Sequence, residues 1–209
     1  MAIAITRQFD PLFRKHGPPK GIPVAYLRAL AKRESNMNPA NDSGPAAGLM
    51  QVVKVARDSY NRHQGASYSR SDTLDPEVSV RIATFQLKRV MDSYKKNHGG
   101  SSNMRPDYAN AEYAKLVTAG WNSGHSEAGG VGRVAGYLEG RGISVTHDNV
   151  FRFANAAGAT QHLQTAQRQN WQRSVAALFY AQPDAPTGGI LNLAIIVFLS
   201  WAAYNLIVD

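Results

Sequence analysis

The chain has 209 residues, which is enough to bury one substantial hydrophobic core. It contains no cysteine, which excludes disulfides and thiolate chemistry. The formal net charge of +8 favours a negatively charged partner, but the basic residues are scattered, so specific nucleic-acid binding is not expected. The six histidines lack the close spacing of metal ligands, and we predict neither a metal nor another cofactor.

The first predicted element is a helix over residues 22–34, which follows an N-terminal extension of residues 1–20. Residues 1–10 show no basic start, long apolar run or small-residue cleavage site, and they do not predict a secretory signal. The helix has a stripe at i, i+3, i+4 and i+7 spacing, formed by Leu27, Leu30, Ala31 and Glu34. Its cationic residues are predicted to face water: Arg28, Lys32 and Arg33.

Glu34 is the unusual member of this stripe, because it places a carboxyl group on the face expected to be buried. A carboxyl group taken out of water without a cationic partner favours its neutral form, which can act as a general acid near pH 7. Pro39 cannot continue the helix, so the helix is predicted to end at Glu34. The alternative is a helix-ending Glu that pairs with a neighbouring Arg.

A second helix is predicted from the apolar run between Val78 and Tyr94. Asp75 is suited to its N-cap and Pro76 to its first helical position. No convincing alternating strand pattern occurs, so the fold class is predicted to be mainly α. Residues 126–164 form a glycine-rich stretch, interpreted as a mobile flap, a docking surface or a tolerated surface excursion.

The C-terminal end combines a predicted linker, residues 183–189, with an apolar run over residues 190–208. About 19 helical residues at about 1.5 Å each span most of a hydrocarbon core of about 30 Å. A membrane helix is therefore predicted, with an apolar helix buried in a protein assembly as the alternative. No Lys or Arg flanks the run closely, so its orientation stays open.

Three blocks of residues stand in a recognisable order: Glu34-Ser35, then Gly48-Leu49-Met50-Gln51, then Ala119-Gly120-Trp121-Asn122-Ser123-Gly124. Together they resemble the soluble lytic transglycosylases, peptidoglycan-cleaving enzymes with a goose-lysozyme-like fold. Asp75-Pro76 is similar to the start of another family helix. The family's closing helix is matched by Trp171, Val175, Phe179 and Tyr180, while Gln172 departs from it. The resemblance spans residues 21–182 and implies a lysozyme-like helical catalytic domain.

The resemblance also implies a mechanism. Glu34 would protonate the glycosidic oxygen between N-acetylmuramic acid (MurNAc) and N-acetylglucosamine (GlcNAc), and its carboxylate would then take the proton of the muramoyl C6 hydroxyl as that oxygen closes on C1. The product is 1,6-anhydroMurNAc. The implied substrate-binding residues are Ser35, Gly48, Met50, Gln51, Trp121 and Asn122. Trp121 stands where the family usually has Tyr, so the aromatic surface remains while the hydroxyl is lost.

Other functions stay open on the sequence. Asp42 and Glu127 are the nearest candidates for a second acid, which would make the enzyme a hydrolytic lysozyme. The organisation of the chain is typical of a bacteriophage virion protein that opens the host cell wall at the periplasm during genome entry, with other virion proteins and the membrane as partners. A conjugation-type transglycosylase and a catalytically silent structural or channel-forming virion protein are the alternatives.

Overall fold

The computed structural model describes residues 5–42 and 44–186. Within these ranges the chain forms eight α-helices: α1 Asp10–His16, α2 Val24–Ser35, α3 Lys54–Gln64, α4 Pro76–His98, α5 Ala111–Ser123, α6 Val131–Glu139, α7 His147–Phe153 and α8 Ala166–Tyr180. Two strands of two residues each, β1 Ala46–Ala47 and β2 Val52–Val53, pair in antiparallel register. The prediction of a mainly helical fold is confirmed.

The short ladder was not predicted, because two residues per strand are too few to show an alternating pattern. Ala46 pairs with Val53, and Ala47 pairs with Val52. The ladder therefore closes a loop whose tip is Gly48-Leu49-Met50-Gln51, the second sequence block. This closure gives the block a defined backbone conformation.

The chain divides into two compact units. The first holds the described residues up to Lys88 together with Gln182–Ala185, and the second runs from Arg89 to Ala181. Fully buried side chains of the first unit include Phe13, Tyr26, Leu27, Leu30, Leu49, Met50 and Ile82. Those of the second include Tyr94, Tyr113, Leu116, Val134, Leu138, Val150, Val175 and Phe179. Each unit thus has apolar interior residues of its own.

Helix α2 begins after Pro23 and ends at Ser35, one residue beyond the predicted end. Asn36 adopts a left-handed conformation with φ 54°, and its N–H reaches the carbonyls of Ala31 and Lys32. Such a cap satisfies carbonyl groups that a helix end otherwise leaves unpaired. The helix therefore stops at an Asn cap, before Pro39 is reached.

The prediction that Arg28 faces water is wrong. Its side chain is 1% exposed, and its Nε and Nη2 atoms donate to Asp10 at 2.9 and 2.8 Å. The same guanidinium bonds both carboxylate oxygens of Asp184 at 3.1 Å and the side-chain oxygen of Gln182. Helical spacing could not reveal this environment, because the partners lie 18 and more than 150 residues away.

The predicted start of α4 is confirmed. Asp75 Oδ1 accepts from the backbone N–H groups of Glu77 and Val78 at 2.7 and 3.2 Å, and the helix opens at Pro76. Helix α8 contains the residues assigned to the closing helix, with Val175 and Phe179 fully buried. The glycine-rich stretch contains α6 and α7, two helices that the sequence reasoning did not predict.

The predicted C-terminal helix, residues 190–208, lies outside the described residues. Among the helices that the structure does describe, none combines the length and the apolar character needed to cross a membrane.

Candidate active site

The predicted site residues fall in both units. The first unit holds Glu34, Ser35, Gly48, Met50 and Gln51, and the second holds Trp121 and Asn122. Across the described residues, no group of three or more His, Asp or Glu side chains is arranged to hold a metal ion. The groups that the predicted site residues offer for chemistry include the carboxyl group of Glu34, the hydroxyl group of Ser35 and the amide groups of Gln51 and Asn122.

Glu34 lies on the last turn of α2 and is half-buried. Its neighbour Arg33 is half-buried as well; burial lowers the pKa of Arg33, and the attraction of Glu34 opposes this shift. The carboxyl group thus lies at the end of the stripe whose preceding members, Leu27 and Leu30, are fully buried. A rigid helix with a buried face is a suitable support for a group that must be held in one place.

Ser35 connects this helix end to the second sequence block. Its hydroxyl donates to the carbonyl oxygen of Leu49 at 2.8 Å and lies 3.3 Å from that of Ala31. The side chain is buried, so this contact is shielded from water. Ser35 therefore satisfies backbone carbonyls, as a helix-terminal serine can, and in doing so it ties the end of α2 to the turn at Leu49.

Position 48 combines two features that favour glycine, a positive φ and a close backbone neighbour. Its φ of +82° lies in the left-handed region, and a Cβ added here would stand 1.8 Å from the carbonyl oxygen of Thr73. The backbone on either side is also bonded, because the N–H of Gly48 donates to Asn41 at 2.7 Å and the N–H of Met50 donates to Ser79 Oγ at 3.0 Å. The turn is thus held by contacts with Thr73, Asn41 and Ser79.

Gln51 completes the turn in a strained conformation, with φ 47°. Its side-chain Nε2 donates to the carbonyls of Asn41 and Gly48 at 3.1 and 2.9 Å. Both amide protons are therefore used within the loop, and Oε1, an acceptor, is the atom left for a ligand. Met50 is fully buried, so it supports the turn from the interior in this conformation.

Trp121 and Asn122 lie on the last turn of α5 and are both half-buried. Two residues that sequence reasoning did not assign to the site bind Asn122. Arg168 Nη1 lies 3.0 Å from its backbone oxygen and 3.4 Å from its Oδ1, and Gln172 Nε2 lies 3.2 Å from the same Oδ1. A polar residue at a buried position of a predicted helix was the signal that could have identified Gln172.

The two carboxylates proposed as a second acid are both engaged elsewhere. Asp42 accepts a short bond from Arg70, whose Nη2 also donates to the carbonyls of Gly44 and Ala46 at 3.0 Å. Glu127 faces the Nε2 atom of the buried His98 at 3.1 Å. Each carboxylate thus has a local structural contact within its own unit.

A family model, the transglycosylase SLT domain, matches residues 11–136. The chain belongs to the transglycosylase SLT domain family. The match begins within the predicted N-terminal extension, ends within α6 and covers the Glu34, Gly48 and Asn122 blocks. The recognised resemblance is therefore confirmed at the level of the family.

Two relatives carry the name soluble lytic murein transglycosylase, one from Escherichia coli K12 and one from Escherichia coli O157:H7. Each is 33% identical over 97 residues, which is 45% of this chain and 15% of the relative. The crystal structure of the 70 kDa soluble lytic transglycosylase from Escherichia coli matches with a TM-score of 0.59 and 22% identity, over 88% of this chain and 26% of that one. The likeness confirms the predicted lysozyme-like helical fold. The chain thus spans only a small part of the length of these SLT-domain relatives.

Proposed function

We propose that the protein is a peptidoglycan lytic transglycosylase that cleaves the MurNAc–GlcNAc β-1,4 bond and leaves 1,6-anhydroMurNAc. The observation that carries this proposal is Glu34 at the end of α2, tied through Ser35 to the Gly48 turn, in a chain of the SLT family. The printed names of the relatives agree with this activity.

In the proposed reaction, the Glu34 carboxyl group gives its proton to the glycosidic oxygen as the bond from that oxygen to C1 of MurNAc breaks. The resulting carboxylate then accepts the proton of the C6 hydroxyl as O6 bonds to C1. Glu34 ends in the protonated form in which it began, and no water is consumed. One positioned carboxyl group therefore serves as both acid and base.

The engaged carboxylates support this route over hydrolysis. Ordinary glycosidases use two carboxyl groups, and the second one activates water or attacks the sugar. Asp42 is bound by Arg70 and Glu127 by His98, so neither is held ready for such a role. A lysozyme mechanism would need one of them to exchange its partner for water.

The test is mass spectrometry of muropeptides released from purified peptidoglycan by the full chain and by Glu34→Gln. We expect anhydromuramoyl products from the native chain and a loss of about 10²- to 10⁴-fold in Glu34→Gln, because the proton donor is removed. Asp42→Asn and Glu127→Gln are the matched carboxylate controls and should keep the activity. Circular dichroism of each variant checks that it is folded.

Two outcomes would contradict the proposal. Reducing-end products that disappear in Asp42→Asn or Glu127→Gln would identify a lysozyme. A folded native chain that releases nothing would favour the silent structural or channel-forming role.

The proposed setting is a bacteriophage particle that opens the host cell wall at the periplasm, with residues 190–208 as a membrane anchor. The charge of +8 and the apolar run that follows the SLT domain support this setting. Purified particles of a phage that carries this gene should contain tryptic peptides of the chain. Absence of these peptides from the particles would favour the conjugation-type alternative.

The membrane anchor is tested separately by flotation. The full chain should float with phosphatidylglycerol vesicles, and Ile196→Arg should prevent flotation.

A further inference from the structure

A buried network of side-chain hydrogen bonds in the second unit links α7 to α5 by way of α8. His147 and Gln172 are both 0% exposed. His147 Nε2 lies 2.9 Å from Gln172 Oε1, and Gln172 Nε2 lies 3.2 Å from Asn122 Oδ1 and 3.1 Å from Ser123 Oγ. Burying an amide is costly unless its groups are bonded, and here both ends of the Gln172 amide have partners.

Arg168 sets the donor-to-acceptor direction of the hydrogen bonds in this network, because a guanidinium only donates. Its Nη1 reaches both oxygens of Asn122, so Oδ1 is the atom that faces Arg168. Gln172 must then offer its NH₂ group to that same oxygen. Its own Oε1 consequently faces His147, which must donate from Nε2. Reversing any one amide would bring two donors or two acceptors together.

The state of His147 agrees with this direction. Burial lowers the pKa of His147, so the ring is neutral near pH 7 and carries one proton. That proton is required on Nε2 by Gln172. Nδ1 makes no hydrogen bond within the part of the chain that the structure describes, although Asp148 Oδ1 lies 3.5 Å from it.

Asn122 is the last residue of this network, and it is half-buried. With Oδ1 held by Arg168 and Gln172, its planar amide must turn Nδ2 away from these donors. We propose that Gln172 and Arg168 are positioning residues that fix the Asn122 amide so that it offers N–H donors, and no acceptor, to an N-acetyl carbonyl of the glycan. This inference rests on the proposed function and extends it to residues outside the family's sequence blocks.

The test compares Gln172→Met and Arg168→Met with Gln167→Met, an exposed control on the same helix. On soluble GlcNAc–MurNAc oligosaccharides, each of the first two should lower kcat/KM by about tenfold, mainly through KM, because a misoriented amide loses one hydrogen bond to the substrate. Gln167→Met should change nothing. If Gln172→Met fails to fold, Arg168→Met carries the test. Arg168 is only half-buried, and its replacement removes a donor from the same Asn122 Oδ1.

A double-mutant cycle separates positioning from mere stabilisation. In an Asn122→Ala background, neither Gln172→Met nor Arg168→Met should lower kcat/KM further, because the amide on which they act is gone. Equal losses with and without Asn122 would overturn the proposal. So would native kcat/KM in both single variants.

A second readout does not depend on catalysis and distinguishes this proposal from the proposed function. In ¹⁵N–¹H spectra the Asn122 side-chain NH₂ should give two dispersed signals in the native chain, and these should converge or shift in Gln172→Met and Arg168→Met. Gln167→Met should leave them in place. Native signals in both positioning variants would overturn the inference, whereas a native chain without cleavage activity but with the expected shifts would overturn the proposed function alone.

Discussion

Gly48 shows how a single residue shapes the turn next to the candidate acid. Glycine permits a positive φ or a close backbone approach, and the structure has both at this position, with φ +82° and the carbonyl oxygen of Thr73 close to where a Cβ would stand. The nature of glycine predicts this freedom, but only the fold identifies Thr73 as the neighbour. Gly65, with φ +62° and open space around it, is the matched comparison.

Gly48→Ala should lower the free energy of unfolding by about 2–5 kcal/mol, from left-handed strain and from the clash with Thr73. Gly65→Ala should cost about 1–2 kcal/mol, because only the strain applies. Urea denaturation measures both values. Equal losses would show that the contact with Thr73 relaxes at no cost.

Asn122 and Gln51 show what remains unpredictable at this scale. The sequence suggested amides that bind sugar, and both residues remain predicted ligands. The structure adds which atom of each amide is already used: Nε2 of Gln51 and Oδ1 of Asn122. The bonds of Asn122 depend on partners about 50 residues away in the chain, so no local pattern reveals them.

Helix α2 is the element on which prediction and structure can best be compared. Its apolar stripe was predicted correctly at Leu27, Leu30 and Ala31, all 0% exposed. Arg28 contradicts the pattern because Asp10 and Asp184 offset the cost of burying its charge. Burial alone would lower the pKa of Arg28, but its bonds to these carboxylates raise it above the ordinary value.

Arg28→Met should lower the free energy of unfolding by about 3–5 kcal/mol, because the 4%-exposed Asp10 side chain loses its buried partner. Arg14→Met is the control: Arg14 pairs with the same carboxylate at 3.6 Å, but its side chain is 62% exposed. We expect a loss below about 1 kcal/mol there. Similar losses measured by urea denaturation would contradict a special role for the buried pair. Replacing Arg28 and Asp10 together by Met and Leu should recover part of the loss.

Across the whole molecule, buried and half-buried histidines predict how stability depends on pH. Burial lowers the pKa of His16, His125 and His147 from the ordinary value of 6.5. Below about pH 6.5 the unfolded chain therefore binds protons that the folded chain refuses, and the free energy of unfolding falls as the pH falls. Glu77 does not contribute in this range, because its salt bridges to Lys15 and Arg81 hold its pKa at about 2, and its effect begins below about pH 4.5.

Urea denaturation at pH 7.5, 6.5 and 5.5 should show this fall, with a slope of up to about 1.4 kcal/mol per pH unit for each buried histidine. His147→Gln should reduce the slope, because Gln keeps a donor toward Gln172 but cannot take up a proton. His162→Gln, at an exposed position, is the control. An unchanged slope in His147→Gln would assign the fall to other groups.

The sequence by itself determined the family, the mainly helical class, the capped start of α4 and the candidate acid Glu34. These features depend on local chemistry: helical periodicity, the N-cap pair Asp75-Pro76 and short blocks of contiguous residues. Only the tertiary structure decided the burial of Arg28, the neighbour of Gly48 and the direction of the Asn122 amide. Each depends on residues that are distant in the chain, and spacing along a sequence carries no information about which distant groups compensate a buried charge or orient an amide.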